Sequence, residues 1–345
     1  MTTRSLAELV VRAVNRVGSG PERPLSAPPS MRPPTGRWFN WAHYGVMVPN
    51  LPEPYRYFGI MAIVGTPEVT VFANDHVIAT GPRDTTTVVS STAAMTHGQF
   101  LHYSTDRDCD FADDGSRLRF GDDITIDGSY PTFAVTRRHP EVGVELSLRA
   151  TGTITRFFDI PGLYRHWSLL CEYDGVVGET AVSGLCALEY ARGAGPHSVL
   201  PSPIASRLEL PAQVFTYQIV DVDDHTQVLL THVSGPFGTP VIRTAYVRTV
   251  DGGSHGYTAG CTFTVDRYAD RRLRTPDGRI MSVPDRYRWR LVDETGCEVL
   301  LLECEAAGDW AYGLGAGFVG SFRYTGTFGG DAIEGVGYAE YVDVR

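Results

Sequence analysis

The chain contains one segment twice. Residues 173–190 and 324–341 align at a constant offset of 151 without a gap. The matched pairs are Tyr173 with Tyr324, Gly175 with Gly326, Gly178 with Gly329, Ala181 with Ala332, Val182 with Ile333, Gly184 with Gly335, Glu189 with Glu340 and Tyr190 with Tyr341. Each copy has the pattern of a strand, a glycine-rich turn and a second strand. A repeat of this length predicts a chain built from two similar halves.

The length of 345 residues suits two domains of roughly 150 residues each. Before them, Leu6, Val10, Val14 and Val17 recur at helical spacing, and a proline-rich stretch follows up to Gly36. We predict an N-terminal helix and proline-rich arm over 1–36, a first barrel over 37–195 and a second barrel over 196–345.

After residue 37 the sequence is typical of a β protein. Asp-Gly pairs, which favour tight hairpins, begin at positions 114, 127, 174, 251 and 277. Residues 286–291 alternate between arginine and apolar side chains, as in a strand with two unlike faces. Antiparallel strands joined by short turns avoid open edges by closing into barrels. The fold class is therefore all-β, with one antiparallel barrel in each half.

The net charge of −10 argues against a nucleic acid partner. The sequence has no lysine, which excludes Schiff-base chemistry and a P-loop lysine. No apolar run reaches the roughly 18 residues of a transmembrane helix. The cysteines have no zinc-like spacing and no secretory signal precedes them, so we expect reduced thiols, a cytoplasmic location and no metal. The sequence does not predict an oligomeric state.

Aromatic residues and histidines are concentrated at the first predicted strands. Trp38, Trp41, His43 and Tyr44 lie in the first, and Tyr57 begins the next. In a small barrel such side chains either fill the interior or line a ligand cavity. A single histidine such as His43 is commonly a hydrogen-bonded core residue.

Two further segments have two interpretations each. Residues 74–76 follow an apparent strand at 69–72 and form either an acid–base pair or a turn. In the segment 166–173, His166 and Glu172 share one strand face and Trp167 the other. His166 and Glu172 are site residues if their face lines a cavity, and surface residues if it meets solvent.

The sequence resembles the tandem lipocalin-like superfamily of carotenoid 1,2-hydratase and the lipocalin-type Diels–Alderases. The resemblance is carried by residues 38–45, by 166–168, by Val182-Ser183-Gly184 with Glu189 five residues on, and by 335–340, which read Gly-Val-Gly-Tyr-Ala-Glu. Two motifs differ: Arg37 replaces an acid, and residues 187–192 lack the family's tryptophan-rich run. The resemblance implies two lipocalin-like barrels in tandem and an apolar small-molecule ligand.

It also implies Glu189 as the catalytic acid, because Glu189 matches the family's acid at this position. A carboxyl buried among apolar groups has a raised pKa and holds a proton near neutrality. His166 and His43 are the next candidates. The alternative is structural, since Glu189 and Glu340 occupy equivalent positions and both could stabilise a hairpin.

We therefore expect a cofactor-independent enzyme that acts on an isoprenoid- or polyketide-like molecule by proton transfer, in a hydration, isomerisation or cyclisation. A non-catalytic lipid- or pigment-binding protein is the alternative, and a module that binds a partner through its N-terminal helix is a third. An enzyme predicts a buried ionisable group beside aromatic side chains. The predicted ligand-binding residues are Trp38, Trp41, Tyr44, Tyr57, His76, Trp167, Glu172, Tyr190, Tyr217 and Trp310.

Overall fold

The computed structural model describes residues 28–36, 38–65, 69–73, 75–78, 80–195 and 212–345. The predicted N-terminal helix and the first part of the proline-rich arm lie outside these residues. So do most of residues 194–211, and the predicted division between 195 and 196 stays a prediction.

The first half contains the strands β1 (Trp41–Val48), β2 (Phe58–Gly65), β3 (Thr85–Ser91), β4 (Phe100–Ser104), β5 (Cys109–Phe111), β6 (Arg117–Phe120), β7 (Ile124–Ser129), β8 (Thr132–Arg137), β9 (Val144–Ile160), β10 (Tyr164–Val177) and β11 (Thr180–Gly193). The short helix α1 (Thr105–Asp108) joins β4 to β5. Single 3₁₀ turns occur at Thr70–Phe72, Asp75–Val77 and Pro82–Asp84.

The second half contains β12 (Val214–Asp221), β13 (Thr226–Ser234), β14 (Pro240–Thr249), β15 (Gly253–Tyr257), β16 (Cys261–Tyr268), β17 (Leu273–Arg274), β18 (Ile280–Met281), β19 (Pro284–Val292), β20 (Glu298–Ala306), β21 (Ala311–Leu314), β22 (Gly317–Phe328) and β23 (Asp331–Asp343). A 3₁₀ turn at Pro236–Gly238 links β13 to β14.

The strands of the first half form one antiparallel sheet in the order β4-β3-β2-β1-β11-β10-β9-β8-β7-β6-β5. Its two outer strands are consecutive in the chain and are joined by the four residues of α1. The sheet therefore curls back on itself. The hydroxyl of Tyr103 on β4 donates to Asp123 in the turn after β6, 2.8 Å away, and this bond ties the two ends together.

The second sheet repeats this plan, with the order β15-β14-β13-β12-β23-β22-β20-β19-β16. The repeated segments have the same pairing: Tyr173 faces Gly184 across β10 and β11, and Tyr324 faces Gly335 across β22 and β23. The duplication seen in the sequence is thus a duplication of structure.

In the described part of the chain, three apolar clusters form the core. The first fills the interior of the first sheet and includes Tyr44, Trp167 and Tyr190. Another fills the interior of the second sheet around Trp289 and Phe322. Both interiors are closed by their own aromatic and aliphatic side chains, whose burial provides most of the stabilising free energy.

The remaining cluster joins the two sheets, and we call this interface the seam. It is lined by Met47, Tyr57, Ala187, Tyr217, Ile219 and Tyr338. Hydrogen bonds cross it from Thr153 to the carbonyl of Thr249 and between Thr155 and Ser254, each 2.8 Å long. An ion pair between Arg56 and Asp309 also joins the halves, at 3.1 Å.

The predicted all-β fold with two lipocalin-like barrels in tandem is confirmed. One local prediction is wrong: residues 70–72 form a 3₁₀ turn rather than a strand. A hydrogen bond from the amide of Phe72 to the carbonyl of Val69 closes that turn. Among the described residues, no helix has the length and apolar character needed to cross a membrane.

Candidate active site

Three ionisable side chains meet on the outer face of the first sheet, where it forms the seam. They are His43 on β1, Glu189 on β11 and His166 on β10. Glu189 is paired with Gly45 on one side and with Ser168 on the other, and both imidazoles flank Ala191. Side chains two residues apart along a strand share a face. Because the cross-strand neighbours of Glu189 are small, the two histidines can lean over its carboxylate.

The imidazoles converge on one oxygen of that carboxylate. Nε2 of His43 lies 3.9 Å from Oε2 of Glu189, and Nε2 of His166 lies 3.8 Å from the same oxygen. Nδ1 of His43 lies 3.1 Å from the carbonyl of Ala62 and therefore donates to it. Neutral His43 thus has an unprotonated Nε2 facing Glu189. Nδ1 of His166 lies 3.1 Å from the hydroxyl of Tyr164, and its Nε2 is buried without a hydrogen-bond partner.

Gly45 makes room for the His43 ring. A Cβ atom at this position would lie 3.1 Å from Cε1 and 3.2 Å from Nε2 of His43, and 3.0 Å from Sδ of Met47. These approaches are closer than ordinary van der Waals contact, so a side chain here displaces the imidazole.

Gly45→Ala is therefore expected to move His43 away from Glu189 and to lower the free energy of unfolding by about 1–3 kcal/mol, as overpacking does. The measurement is urea denaturation together with the NMR chemical shifts of the His43 ring. Gly143→Ala is the matched control, because the new Cβ would meet nothing closer than 3.9 Å. Equal effects of the two changes would contradict this role of Gly45.

The second barrel contributes a fourth group. The hydroxyl of Tyr217 on β12 donates to Oε1 of Glu189 across the seam, at 2.5 Å. Burial, and next the negative charge of Glu189, raise the pKa of Tyr217 well above its usual value. Tyr217 therefore stays protonated and keeps donating. One carboxylate oxygen faces the phenol while the other faces the two imidazoles.

The protonation state of Glu189 differs from the sequence-based expectation. Burial by itself raises the pKa of this carboxyl, but its interactions with His166 and then His43 outweigh that effect and hold the pKa below its usual range. Burial lowers the pKa of His166, and Glu189 offsets part of that effect. Glu189 is thus an ionised base at neutral pH, and the expectation of a raised pKa there was wrong because it took no account of the two histidines.

The buried guanidinium of Arg248 bonds a residue next to Glu189. Arg248 on β14 is fully buried; its Nη1 donates to Ser168, the cross-strand neighbour of Glu189, at 2.8 Å. Its Nε donates to Oε1 of Gln227 at 3.1 Å. Burial lowers the pKa of Arg248, whereas the electrostatic interactions with Tyr217 and Glu189 raise it. The positive charge of Arg248 compensates for the negative charge of Glu189 within the seam.

The same network reaches Asp221 at the end of β12, which accepts from Nε2 of Gln227 at 2.7 Å. Burial raises the pKa of Asp221 from 3.8 to about 7, against the opposing effects of Gln227 and Arg248. The folded protein therefore retains a proton that the unfolded chain releases.

The ionisation of Asp221 is expected to lower the free energy of unfolding as the pH rises from 4 to 7, by at most about 4 kcal/mol. Asp221→Asn keeps the acceptor for Gln227 and removes the titration. Urea denaturation of both proteins across this pH range tests the expectation. The difference in stability should grow in favour of the variant as the pH rises, and a constant difference would contradict it.

Aromatic rings form one wall beside the imidazoles. The ring of Phe157 lies 4.5 Å from that of His166, and Tyr246 of the second barrel lies 5.3 Å from Phe157. The ring of Tyr164 lies 5.6 Å from that of Trp41 and 5.5 Å from that of Phe158, tilted by 37° to each. The side chain of His166 is 22% exposed, against 4% for Glu189, so His166 is the more accessible of the two residues.

Among the residues that the structure describes, two groups of side chains have the spacing of metal ligands. In each group the possible ligand atoms lie within 4.8 Å of one another. One group is His43, His166 and Glu189, and the other is His97, His139 and Glu141. Imidazole and carboxylate donors suit zinc and related transition metals. In the second group the carboxylate of Glu141 already accepts from the amide and hydroxyl of Thr96 at the surface. The expectation of no metal was based on cysteine spacing and did not consider histidines brought together by the fold.

The structure brings together four of the predicted site residues, Glu189, His166, His43 and Tyr217, and Trp41 lies nearby. Tyr57 lies elsewhere in the seam, where it bonds Ser91 at 2.8 Å. Tyr44, Trp167 and Tyr190 fill the interior of the first sheet. The other predicted residues lie apart from the site. Trp38 and His76 are exposed, and Trp38 donates to the carbonyl of Gly162. Glu172 pairs with Arg149 at the surface, and Trp310 lies beside Tyr341.

Several residues of the site carried no sequence signal. Arg248 is one arginine among thirty basic residues, and nothing in its neighbourhood marks it as buried. Phe157, Tyr164 and Tyr246 lie in ordinary alternating strands. The two halves differ at the position of Gly45. Gly45 is paired with Glu189 in the first half, and Tyr217 is paired with Glu340 at the equivalent position of the second half.

Residues 61–345 match the family of unknown function DUF6670. The chain belongs to this family. A putative AttH from Nitrosomonas europaea has a similar structure, with a TM-score of 0.58 at 15% sequence identity, covering 94% of this chain and 100% of that chain. Kievitone hydratase from Nectria haematococca superimposes with a TM-score of 0.51 at 11% identity, covering 88% of each chain. No curated protein matches the sequence.

At these identities the two structures show a shared fold. The resemblance to the tandem lipocalin-like superfamily that was drawn from the sequence is confirmed at this level.

Proposed function

We propose that this member of the DUF6670 family is an enzyme that binds an apolar, isoprenoid- or polyketide-like small molecule at the seam and transfers a proton there. One observation carries the proposal: an ionised carboxylate is buried between two imidazoles beside an aromatic wall. Buried ionisable groups with displaced pKa values are concentrated at functional sites. A hydratase among the proteins of similar fold supports a reaction of this class.

The proposed reaction uses the groups as they lie. An imidazole that has taken up a proton beside Glu189 gives it to one carbon of an alkene or enone. A water molecule adds to the developing cation at the neighbouring position and returns one proton to the imidazole and carboxylate pair. The site ends with the number of protons it began with. Aromatic faces such as that of Phe157 stabilise the cation by about 0.5–2 kcal/mol each.

An isomerisation or a cyclisation would use the same two proton transfers without adding water. The partly exposed His166 is the group that meets the ligand, and His43 is buried behind it. Glu189 remains the charge that raises the pKa of His166 against the effect of burial.

The test is an incubation of the protein with a panel of apolar alkenes and enones in D2O, followed by mass spectrometry. We expect at least one compound to gain deuterium at carbon with the wild-type protein, and with the exposed control Glu298→Gln, but not with Glu189→Gln. If compounds bind equally to all three proteins and none gains deuterium, the protein is a lipid- or pigment-binding protein and the proposal is wrong.

A further inference from the structure

Three atoms at the centre of the seam site lie close together without bonding to one another. Nε2 of His43 and Nε2 of His166 are 3.9 Å and 3.8 Å from Oε2 of Glu189. Hydrogen bonds between nitrogen and oxygen are about 2.7–3.2 Å long, so neither imidazole bonds this oxygen directly. Nε2 of His166 is also buried, and it has no hydrogen-bond partner among the described residues. A buried polar atom of this kind points to a further group that belongs between the three atoms.

The spacing of these atoms suits a transition-metal ion. Zinc bonds imidazole nitrogen and carboxylate oxygen at about 2.0–2.2 Å, which places neighbouring ligand atoms roughly 3.3–3.5 Å apart in a tetrahedral site. Here the possible ligand atoms lie within 4.8 Å of one another. Closing the two gaps to the carboxylate oxygen takes side-chain movements of about 0.5 Å. Two imidazoles and one carboxylate leave the fourth position free for a water or a ligand, as in catalytic zinc sites.

Each of the three groups is also held as a metal ligand usually is. In metal sites, the second nitrogen of a ligating imidazole donates to a neighbouring oxygen, and the ligating carboxylate is itself hydrogen-bonded. Nδ1 of His43 donates to the carbonyl of Ala62, and Nδ1 of His166 lies 3.1 Å from a tyrosine hydroxyl. The hydroxyl of Tyr217 donates to Oε1 of Glu189 and leaves Oε2 facing the imidazoles. These bonds direct the three possible ligand atoms towards one another.

The surface group of possible metal ligands is less suited to an ion. The carboxylate of Glu141 accepts from the amide and hydroxyl of Thr96, so both of its oxygens are already bonded. Nδ1 of His139 accepts from the amide of Glu141, which leaves the proton of the neutral ring on Nε2. His97 is exposed and pairs with Glu141. This group therefore provides a matched control for the seam site.

We propose that the seam site binds one divalent transition-metal ion, of the class of zinc, through Nε2 of His43, Nε2 of His166 and Oε2 of Glu189. The ion occupies the lone pairs that take up the proton in the proposed reaction. The metal-bound protein is therefore unable to transfer protons to carbon, and the ion regulates the site by inhibition. The binding stands independently of the proposed function, and only the inhibition rests on it.

The test of binding is a titration of metal-free protein with Zn²⁺ in competition with a chromophoric chelator. Wild type is expected to bind one tight equivalent, and so is the control His97→Gln, which alters only the surface group. Tyr217→Phe is expected to weaken this binding by about 10–100-fold, as the loss of an outer hydrogen bond does, and His166→Gln to weaken it further. The proposal is overturned if wild type binds no ion, if His166→Gln binds as tightly as wild type, or if His97→Gln removes the tight site.

Absorption spectroscopy with Co²⁺ tests the wild-type protein alone, in case His166→Gln does not fold. The bound ion is expected to show the visible absorption of a site with nitrogen and oxygen ligands, without a thiolate charge-transfer band. A thiolate band would place the ion on a cysteine and overturn the proposal.

Inhibition is measured by adding one equivalent of Zn²⁺ to the deuterium-incorporation assay. Incorporation by wild type is expected to stop, and to return after a chelator removes the ion. Continued incorporation at full occupancy would overturn the inhibition. If Zn²⁺ binds as described and no compound gains deuterium in its absence, that result contradicts the proposed function alone.

Discussion

Replacing Glu189 with glutamine is expected to slow proton transfer to the ligand by about 10²–10⁴-fold, the usual contribution of a placed acid–base group. The amide keeps the volume of the side chain and an oxygen that accepts from Tyr217. It carries no charge, so His166 loses the carboxylate that offsets part of the effect of burial on its pKa. The change therefore separates the chemistry from the architecture of the seam.

The rate of deuterium incorporation, compared at saturating ligand, measures this effect. Ligand affinity should change little, because Glu189 lies behind His166 and is itself almost completely buried. Glu298→Gln, an acid on β20 paired with Arg290 at the surface, is the matched control. A rate within a factor of two of wild type in the Glu189 variant would show that proton transfer does not use this carboxylate.

Replacing Arg248 with methionine is expected to lower the free energy of unfolding by about 3–5 kcal/mol, the cost of leaving a buried charge without its partner. The change removes a buried positive charge that interacts electrostatically with Tyr217 and Glu189. It also leaves the hydroxyl of Ser168 and the amide oxygen of Gln227 without the donors that satisfy them. Few single substitutions in this protein should cost as much.

Arg290→Met is the control for this prediction. Its guanidinium is 55% exposed and pairs with Glu298 at the surface, and such pairs contribute up to about 1 kcal/mol. Urea denaturation of both variants at pH 7 gives the comparison. The double variant Arg248→Met with Glu189→Gln should recover part of the loss, since neither charge is then left alone. Equal costs of the two arginine substitutions would contradict the charge balance assigned to the seam.

Much of the fold follows from local patterns in the sequence. The repeat at an offset of 151 predicts two equivalent halves, and both copies have the same strand pairing. Alternation along 166–173 correctly separates Trp167, which faces the interior, from His166, which faces outward. These features depend on neighbouring residues and on one period of alternation, and for this reason they can be read from a sequence.

The position of the site could not be predicted in the same way. Strand parity places His166 and Glu172 on one face, yet His166 lies at the seam and Glu172 pairs with Arg149 at the surface. The strand β10 is 14 residues long and extends beyond the area that the second barrel covers. Which part of an outer face is covered depends on how two finished barrels pack. The different surroundings of Glu189 and Glu340 have the same origin, because the two histidines lie beside Glu189 and Tyr338 bonds Glu340.

The most direct measurement is the position of a bound ligand in a crystal structure of the complex with an apolar compound that gains deuterium or copurifies with the protein. We predict electron density at the seam, in contact with His166 and Phe157 and facing Tyr246 of the second barrel. Density inside the first sheet, against Trp167 and Tyr190, with the seam closed by its own side chains, would contradict the account.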